Sequence, residues 1–278
     1  MLFKPSVWPK TALTWREGGV LFISVSFTWH LLKVLELIRG EPLVIVGGPA
    51  TQLMPEFFKD YPQVKIGRYF PGVLQMLNPL AIRTTLGCPN KCAFCAIGSG
   101  KVEAGGLVEL PDWPDLPIIC DNNLLAASIA HFDRVMDRLE HWPEQVDFNQ
   151  GLDARLLTAY HAERFGRLKH PKIRLALDHV KHWEKWLESY ELLRSQGVNK
   201  SSIYSYALIG FHTDPDEAWK RCLFLEEYCL VNPMWYHSLS ALEHNKVTKE
   251  QESWGWTKKE RTKLMGYFYR RRGTIRDV

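Results

Sequence analysis

Three of the chain's six cysteines lie within eight positions, in the stretch TTLGCPNKCAFCAIGSGK that covers residues 84–101. Cys88, Cys92 and Cys95 follow the spacing C-x3-C-x2-C. Thiolates this close together are typical metal ligands, because soft sulfur binds zinc and iron well. Three cysteines fall one short of a structural zinc site, and no second CxxC or H-x3-H pattern lies nearby. A four-iron cluster on three cysteines would leave one iron open. Zinc binding and buried structural thiols stay as alternative interpretations.

The elements that must position this loop form a regular alternation of strands and helices. Helical patterns at residues 128–142, 183–197 and 212–230 separate apolar runs that are typical of buried parallel strands. Six such units predict an α/β fold, a partial (βα)6 TIM-like barrel that is two units short of eight. The strand-like runs cover residues 81–88, 116–123, 145–151, 172–179, 203–211 and 233–240.

Two smaller segments flank this predicted barrel. Residues 1–78 contain a strand, an amphipathic helix and a second strand, which predicts a truncated α/β segment. The barrel is expected over residues 79–242, and a basic helical extension over 243–278. Thr257 and Glu260 form a capping-box pattern, and Leu264 and Phe268 share one face of the helix that follows.

The composition predicts a folded cytoplasmic protein that does not enter a membrane. The chain is 46% hydrophobic, with 11 Trp, 10 Tyr and 13 Phe, and its apolar runs are strand-length. Its start lacks a signal-peptide pattern. Thiols stay reduced in the cytoplasm, so the remaining cysteines, Cys120, Cys222 and Cys229, are expected in the core rather than in disulfides.

The cysteine motif, with Phe94 just before its last cysteine and a position at the end of the first barrel strand, resembles the radical S-adenosylmethionine (SAM) superfamily. The resemblance covers about residues 80–240. It implies a 4Fe-4S cluster on the three cysteines, with SAM bound at the open iron and cleaved by one electron. The product would be a 5′-deoxyadenosyl radical that abstracts a hydrogen atom from substrate. A reductant such as flavodoxin or ferredoxin is the implied partner.

The resemblance also implies where SAM is bound. The end of the second strand, where the superfamily often has a Gly-Gly-Glu motif, carries three polar residues here. The segment after the third strand implies contacts to ribose and carboxylate, although its Asp and Arg equally suit a structural ion pair. The fifth strand implies backbone contacts to adenine. The expected cofactor-binding residues are Asp121, Asn122, Asn123, Asp153, Arg155, Ile209 and Gly210.

Other superfamily features are missing. The first segment resembles a vestige of the cobalamin domain of some radical SAM methyltransferases, but it lacks the Asp-x-His-x-x-Gly signature, so bound cobalamin is not expected. No ligand set for a second iron–sulfur cluster is encoded, which argues against methylthio transfer.

Substrate candidates come from the strand ends and from the tail. The stretches DNNLLAAS, DFNQGLDARLL and NPM resemble a group of radical SAM proteins encoded by phages and bacteria. The tail, residues 257–278, contains eight basic and two acidic residues. Together with this resemblance it favours modification or isomerisation of a nucleobase or its amino-acid adduct. Substrate contacts are expected from His179, His212, Trp235, Tyr236 and His237, and nucleic-acid contacts from Lys258, Lys259, Arg261, Lys263, Arg270, Arg271 and Arg272.

Two alternative functions remain open at this point. One is a radical SAM enzyme that acts on a free small molecule or a peptide. The other is a metal-containing nucleic-acid-binding module without catalytic activity. Rim histidines and charged helices also occur as inert surface features, so neither settles the choice.

Overall fold

The computed structural model describes residues 10–67, 70 and 72–271. No helix within these ranges is both long and apolar enough to cross a bilayer. The strands are β1 (Leu13–Glu17), β2 (Val20–Ser24), β3 (Val44–Gly47), β4 (Val64–Ile66), β5 (Ala81–Ile82), β6 (Thr85–Leu86), β7 (Val108–Glu109), β8 (Ile118–Ile119), β9 (Val146–Phe148), β10 (Leu152–Asp153), β11 (Pro171–Ala176), β12 (Ile203–Ile209) and β13 (Leu230–Trp235). The helices are α1 (Leu31–Leu37), α2 (Pro49–Leu53), α3 (Val73–Leu77), α4 (Ile129–Glu140), α5 (Ala159–Gly166), α6 (Trp183–Ser195), α7 (Pro215–Tyr228), α8 (Lys249–Ser253) and α9 (Lys258–Arg271).

The first segment forms a four-stranded sheet in the order β1-β2-β3-β4. β1 and β2 pair antiparallel, whereas β2, β3 and β4 pair parallel, with Ile23 opposite Val46. Fully buried Leu31 and Val34 place one face of α1 in a small core with these strands. The predicted strand–helix–strand unit is confirmed. β1 and β4 were not predicted, because their short sequences carry little apolar periodicity.

The second sheet confirms the α/β class. Its strands pair in the order β5-β8-β9-β11-β12-β13, with β10 added beside β11, and every pair is parallel. Each of the six predicted runs contributes one strand to this order. The predicted helices after the second, fourth and fifth runs are α4, α6 and α7. Parallel order with helical connections brings the carboxyl ends of the strands to one edge.

One expected unit lacks its helix. The chain between β5 and β8 contains the cysteine loop and the antiparallel pair β6–β7, with no α-helix in this described stretch. Glycines and prolines interrupt the sequence from residue 98 to residue 117, which disfavours a helix there. The six βα units of the sequence prediction are therefore six strands with an irregular first connection.

Helices cover one face of this sheet. Alternating strand residues such as Ile173, Leu175 and Ala207 pack with Phe132 and Trp186 of the helices in the largest core. The opposite face carries polar and aromatic side chains in its middle, including Asp147, Arg174, Tyr204 and Tyr206. Toward β5, α3 covers that face, where Ala81, Ile118 and Cys120 pack against Leu74. The core positions of Cys120, Cys222 and Cys229 are confirmed.

The predicted C-terminal helix is part of this core. The backbone amide of Glu260 donates to Thr257 Oγ1 at 3.1 Å, which confirms the predicted N-terminal cap. Leu264 and Phe268 are 0% and 3% exposed and join the same core as the sheet strands. Just before the helix, buried Trp256 donates its indole N–H to the carbonyl oxygen of Thr213 at 2.7 Å. The extension is thus a packed element of the fold.

Candidate metal and cofactor site

The cysteine loop curls tightly on itself. The amide of Cys95 donates to the carbonyl oxygen of Cys92 at 3.0 Å, and that of Ser99 donates to Cys95 at 2.9 Å. A Cβ atom added at Gly98 would lie 2.6 Å from the amide nitrogen of Cys92, so glycine is required at this close approach. All three cysteines are half-buried free thiols. The loop therefore presents three thiols from one short, well-bonded turn.

Burial and several nearby groups act on the Cys92 thiol. Burial raises the pKa of the Cys92 thiol, and Cys95, Asp178 and Cys88 raise it further while Arg155 opposes them. Three nearby thiols fit an iron–sulfur cluster as donors and are one ligand short of structural zinc. In the described ranges, however, no group of three or more His, Cys, Asp or Glu residues is arranged to hold a metal ion. The three thiols are suitable metal ligands, but their side chains are not arranged around a common metal position.

An ion pair at the end of β10 and in the turn that follows it contacts this loop. Arg155 binds Asp153 through two hydrogen bonds of 2.7 Å, and Asn90 of the cysteine loop donates to Asp153 Oδ2 at 2.9 Å. Burial opposes ionisation of Asp153, but the bonds from Arg155 and Asn90 outweigh it and lower its pKa. The structure thus gives Asp153 and Arg155 the ion pair that the sequence left open. It also places that pair against the cysteine loop.

Aromatic rings connect the cysteine loop to the ends of β12 and β13. The ring of Phe94 contacts Phe211 edge-on, with 5.6 Å between centroids. Phe211 in turn stacks on His212 at 4.2 Å and contacts Tyr236 at 4.8 Å. The strand ends of both elements therefore lie on the same side as the thiols, as parallel order requires.

The turn after β8 binds the segment that precedes the first cysteine. Asp121 is 3% exposed and accepts hydrogen bonds from the amides of Thr84 and Thr85 at 2.6 and 2.8 Å. Its second oxygen accepts the Thr84 hydroxyl at 2.5 Å. Burial raises the pKa of Asp121, and these bonds oppose the rise. Both carboxylate oxygens are engaged with the protein, so Asp121 acts here on the backbone that leads to Cys88.

Glu103 is a site residue that the sequence analysis missed. It accepts the amide of Gly87 at 2.7 Å and the side chain of Asn122 at 3.0 Å, and it pairs with Arg83 through both oxygens. Burial opposes its ionisation, but Arg83 and the other donors outweigh it, so its pKa is lowered. Its sequence surroundings, KVEAGG, carry no periodic or motif signal. Asn122, expected to bind cofactor, is committed to this network.

Asn123 is the member of the turn that reaches a cysteine. It is 2% exposed, and its amide nitrogen lies 3.8 Å from Cys88 Sγ. Its Oδ1 atom is buried without a hydrogen-bond partner among the described atoms. Of the three expected polar residues in this turn, Asn123 thus retains an unused acceptor beside the thiols.

The expected backbone contacts from β12 are occupied within the protein. The carbonyl oxygen of Ile209 accepts the amide of Tyr236 at 2.9 Å, and that of Gly210 accepts Gln251 Nε2 at 3.0 Å. Gly210 has a φ of +77°, and a Cβ there would lie 2.7 Å from the ring of Trp235. Trp235, expected to contact substrate, is 6% exposed and packs in the core below this glycine.

The candidate histidines occupy three different environments. His179 is exposed and accepts the amide of Lys181 at 3.1 Å as the cap of a short turn. His212 is exposed, has a φ of +46° and lies 3.3 Å from Glu250. His237 contacts Trp29 and His244 at ring distances of 4.6 and 5.0 Å, away from the aromatic contacts of the cysteine loop. His212 alone of these contacts the ring that meets Phe94.

The basic helix offers fewer free charges than its sequence suggests. Arg261 is half-buried over the ring of Trp235 at 5.7 Å, and Lys263 lies 5.9 Å from the ring of Trp219. Lys258, Lys259 and Arg270 are exposed. Arg272 and the side chain of Arg271 lie outside the described residues.

No protein-family model matches the chain, and no curated protein is significantly similar to it.

Proposed function

We propose that the protein is a radical SAM enzyme whose 4Fe-4S cluster is bound by Cys88, Cys92 and Cys95. The observation that carries the proposal is the tightly turned loop that follows β5 and presents three free, half-buried thiols at the carboxyl end of a strand of the parallel sheet. The chain-order pairing of six parallel strands supports a partial (βα)6 barrel around that edge. When bound, the cluster and SAM supply a 5′-deoxyadenosyl radical that removes a hydrogen atom from an unactivated carbon.

The chain's own residues would orient these groups. Asn123 Oδ1, a buried acceptor beside Cys88, suits the ammonium group of SAM. Arg155, whose side chain is 41% exposed beside the loop, suits a carboxylate. Phe94 and Phe211 provide an apolar wall next to the thiols, which would limit access of water to a reactive radical.

We propose a nucleobase, or its amino-acid adduct in nucleic acid, as the substrate. Exposed Lys258, Lys259 and Arg270 on α9 support a contact to phosphates. Tyr236 and His212, which flank Phe211, are placed to contact a flat ring. The competing candidate is a free small molecule or a peptide. The packing of α9 into the core gives this helix a structural role with either substrate, so its presence alone does not require nucleic acid.

Anaerobic purification tests the first part of the proposal. We expect a brown protein that binds about four iron atoms and cleaves SAM only when a reductant such as flavodoxin or dithionite is added. The matched control is Cys120→Ala, since Cys120 is a buried core thiol. Cys92→Ala must lose iron and Cys120→Ala must keep it. Equal iron retention in both variants would contradict the proposal.

The nucleic-acid substrate has its own test. Deleting α9 would remove Leu264 and Phe268 from the core, so substitution is the better probe. We expect Lys258→Glu with Lys259→Glu to weaken DNA or RNA binding and to reduce its dependence on salt by about two charges, because phosphate contacts release counterions. The control is Lys185→Glu on α6, whose side chain is 38% exposed and pairs with Glu188. An unchanged nucleoside profile in cells that express the protein would favour the small-molecule candidate.

A further inference from the structure

The side-chain amide of Asn123 is buried and donates its hydrogen bond to the sulfur of a cysteine. Its Nδ2 lies 3.8 Å from Cys88 Sγ, its Oδ1 has no partner within the described chain, and the residue is 2% exposed. Its chain neighbours Leu124 and Leu125 are also buried, at 1% and 5% exposure. The amide thus lies in an apolar setting with its N–H directed at a cysteine.

This arrangement is unfavourable for a neutral thiol. A buried amide with unmet hydrogen-bonding capacity costs about 1–3 kcal/mol, and a thiol sulfur is a weak acceptor. A leucine of similar volume would fill the same space without that cost. A thiolate, in contrast, accepts a charge-assisted hydrogen bond that is roughly twice as strong as a neutral one. The buried N–H, 3.8 Å from Cys88 Sγ, therefore suits a sulfur that binds a metal.

We infer that Asn123 is a positioning residue that donates a hydrogen bond to the metal-bound thiolate of Cys88 and raises the reduction potential of the cluster. The inference rests on the proposed function. A donor to a ligand sulfur stabilises negative charge, and reduction adds one negative charge to the cluster, so the reduced form gains more from the bond. Within the turn after β8, Asn123 would thus set the reduction potential of the cluster. Asp121 and Asn122 bind the backbone of the segment that precedes Cys88.

Asn123→Leu tests the inference, with Asn122→Leu as the matched control in the same turn. Asn122 donates to Gly87 and Glu103 and has no hydrogen bond to sulfur among the described contacts. After anaerobic reconstitution, iron and sulfide content are measured first, and the potential is then measured by titration followed by electron paramagnetic resonance. We expect Asn123→Leu to lower the reduced-to-oxidised ratio about tenfold at fixed potential, a shift of about 59 mV for one electron. Asn122→Leu should shift it much less.

Three outcomes would overturn the inference. The potential of Asn123→Leu could equal that of wild type, or both variants could shift equally, which would make loop geometry the cause. A wild-type protein that takes up no iron would overturn the proposed function and this inference together, whereas an iron-loaded protein with an unchanged potential overturns this inference alone. If Asn123→Leu does not fold, Asn123→Ala removes the donor without added bulk or charge and is expected to shift the potential in the same direction.

Discussion

Glu103 shows how much one side chain contributes to the approach to the cysteines. Its carboxylate binds the Gly87 amide, the Asn122 side chain and Arg83, and its own backbone has a φ of +50°. A non-glycine residue in this left-handed region is held there by its surroundings. The strained position and the full use of the carboxylate together indicate that Glu103 fixes the segment before Cys88.

We predict that Glu103→Ala lowers the free energy of unfolding by about 2–4 kcal/mol, because Arg83 and two polar groups lose their half-buried partner. Chemical denaturation measures the loss. The control is Glu41→Ala, which removes a pair whose arginine, Arg16, is 55% exposed against 22% for Arg83, so its loss should be smaller. Equal losses in the two variants would show that Glu103 is an ordinary surface carboxylate. The lowered pKa of Glu103 means that its contribution is present at neutral pH and is lost as the pH falls.

At the scale of elements, the cysteine loop depends on the close contact between its two ends. Gly98 lies on the backbone of Cys92, with only 2.6–2.7 Å between an added Cβ and the amide nitrogen or carbonyl oxygen. Backbone atoms cannot move aside as a flexible side chain can. The shape of this loop therefore depends on glycine, even though the loop contains no helix or strand of its own.

We predict that Gly98→Ala reduces iron uptake severalfold while the secondary structure is retained, because the loop must open to admit the methyl group. Iron content and circular dichroism measure the two effects. Gly266→Ala on α9 is the control, since its nearest neighbour would be Arg270 at 3.8 Å and alanine favours helix. Normal iron uptake by Gly98→Ala would show that the loop geometry is not needed for metal binding.

Helices and strands with a clear apolar periodicity were predicted well from the sequence, and short elements without one were not. α4 and α6 begin within one residue of their predicted starts, because apolar residues recur at helical spacing. β10 was missed, since it has two residues and pairs only through Leu152 and Asp153. The missing helix after β5 follows from glycines and prolines that a strand–helix alternation rule overlooks.

The candidate site was less predictable than the helices and strands, because most of its contacts join residues far apart in the sequence. The motif gives Cys88, Cys92 and Cys95 directly, whereas contacts such as Asp121 with Thr84 join residues 37 positions apart. No local pattern distinguishes a carboxylate that binds backbone amides from one that faces a ligand. The partners of Asp121 and Asn122 therefore emerged only from the tertiary structure.

At the scale of the whole molecule, the first sheet is joined to the second by a histidine and tryptophan contact. Trp29 lies against His237 and His244, and Thr28 donates its hydroxyl to the carbonyl oxygen of Ala241 at 2.6 Å. His237 Nε2 accepts the amide of Asn245 at 2.9 Å, which requires a neutral ring nitrogen. Burial lowers the pKa of His237 to about 4, and His244 and Arg261 contribute to the shift.

We predict that acid weakens this contact. Between about pH 6.5 and pH 4 the unfolded chain binds a proton at His237 that the folded chain does not, so stability falls as the pH falls through this range. Thermal unfolding from pH 7 to pH 4.5 measures the slope. His237→Gln keeps an acceptor without a titrating ring and should flatten it. A profile parallel to that of wild type would assign the slope to other groups.

The buried bond between Asp121 and Thr84 also continues outward through His131. Thr84 Oγ1 lies 3.0 Å from His131 Nε2, and Arg134 lies 3.0 Å from His131 Nδ1. Since a guanidinium only donates, Nδ1 must accept, which leaves the imidazole hydrogen on Nε2 and directs it to Thr84. The Thr84 hydroxyl then has one hydrogen to give, and Asp121 takes it. Each hydrogen bond in this series therefore donates toward Asp121. The bond dipoles are aligned, and they end at the carboxylate that binds the backbone leading to Cys88.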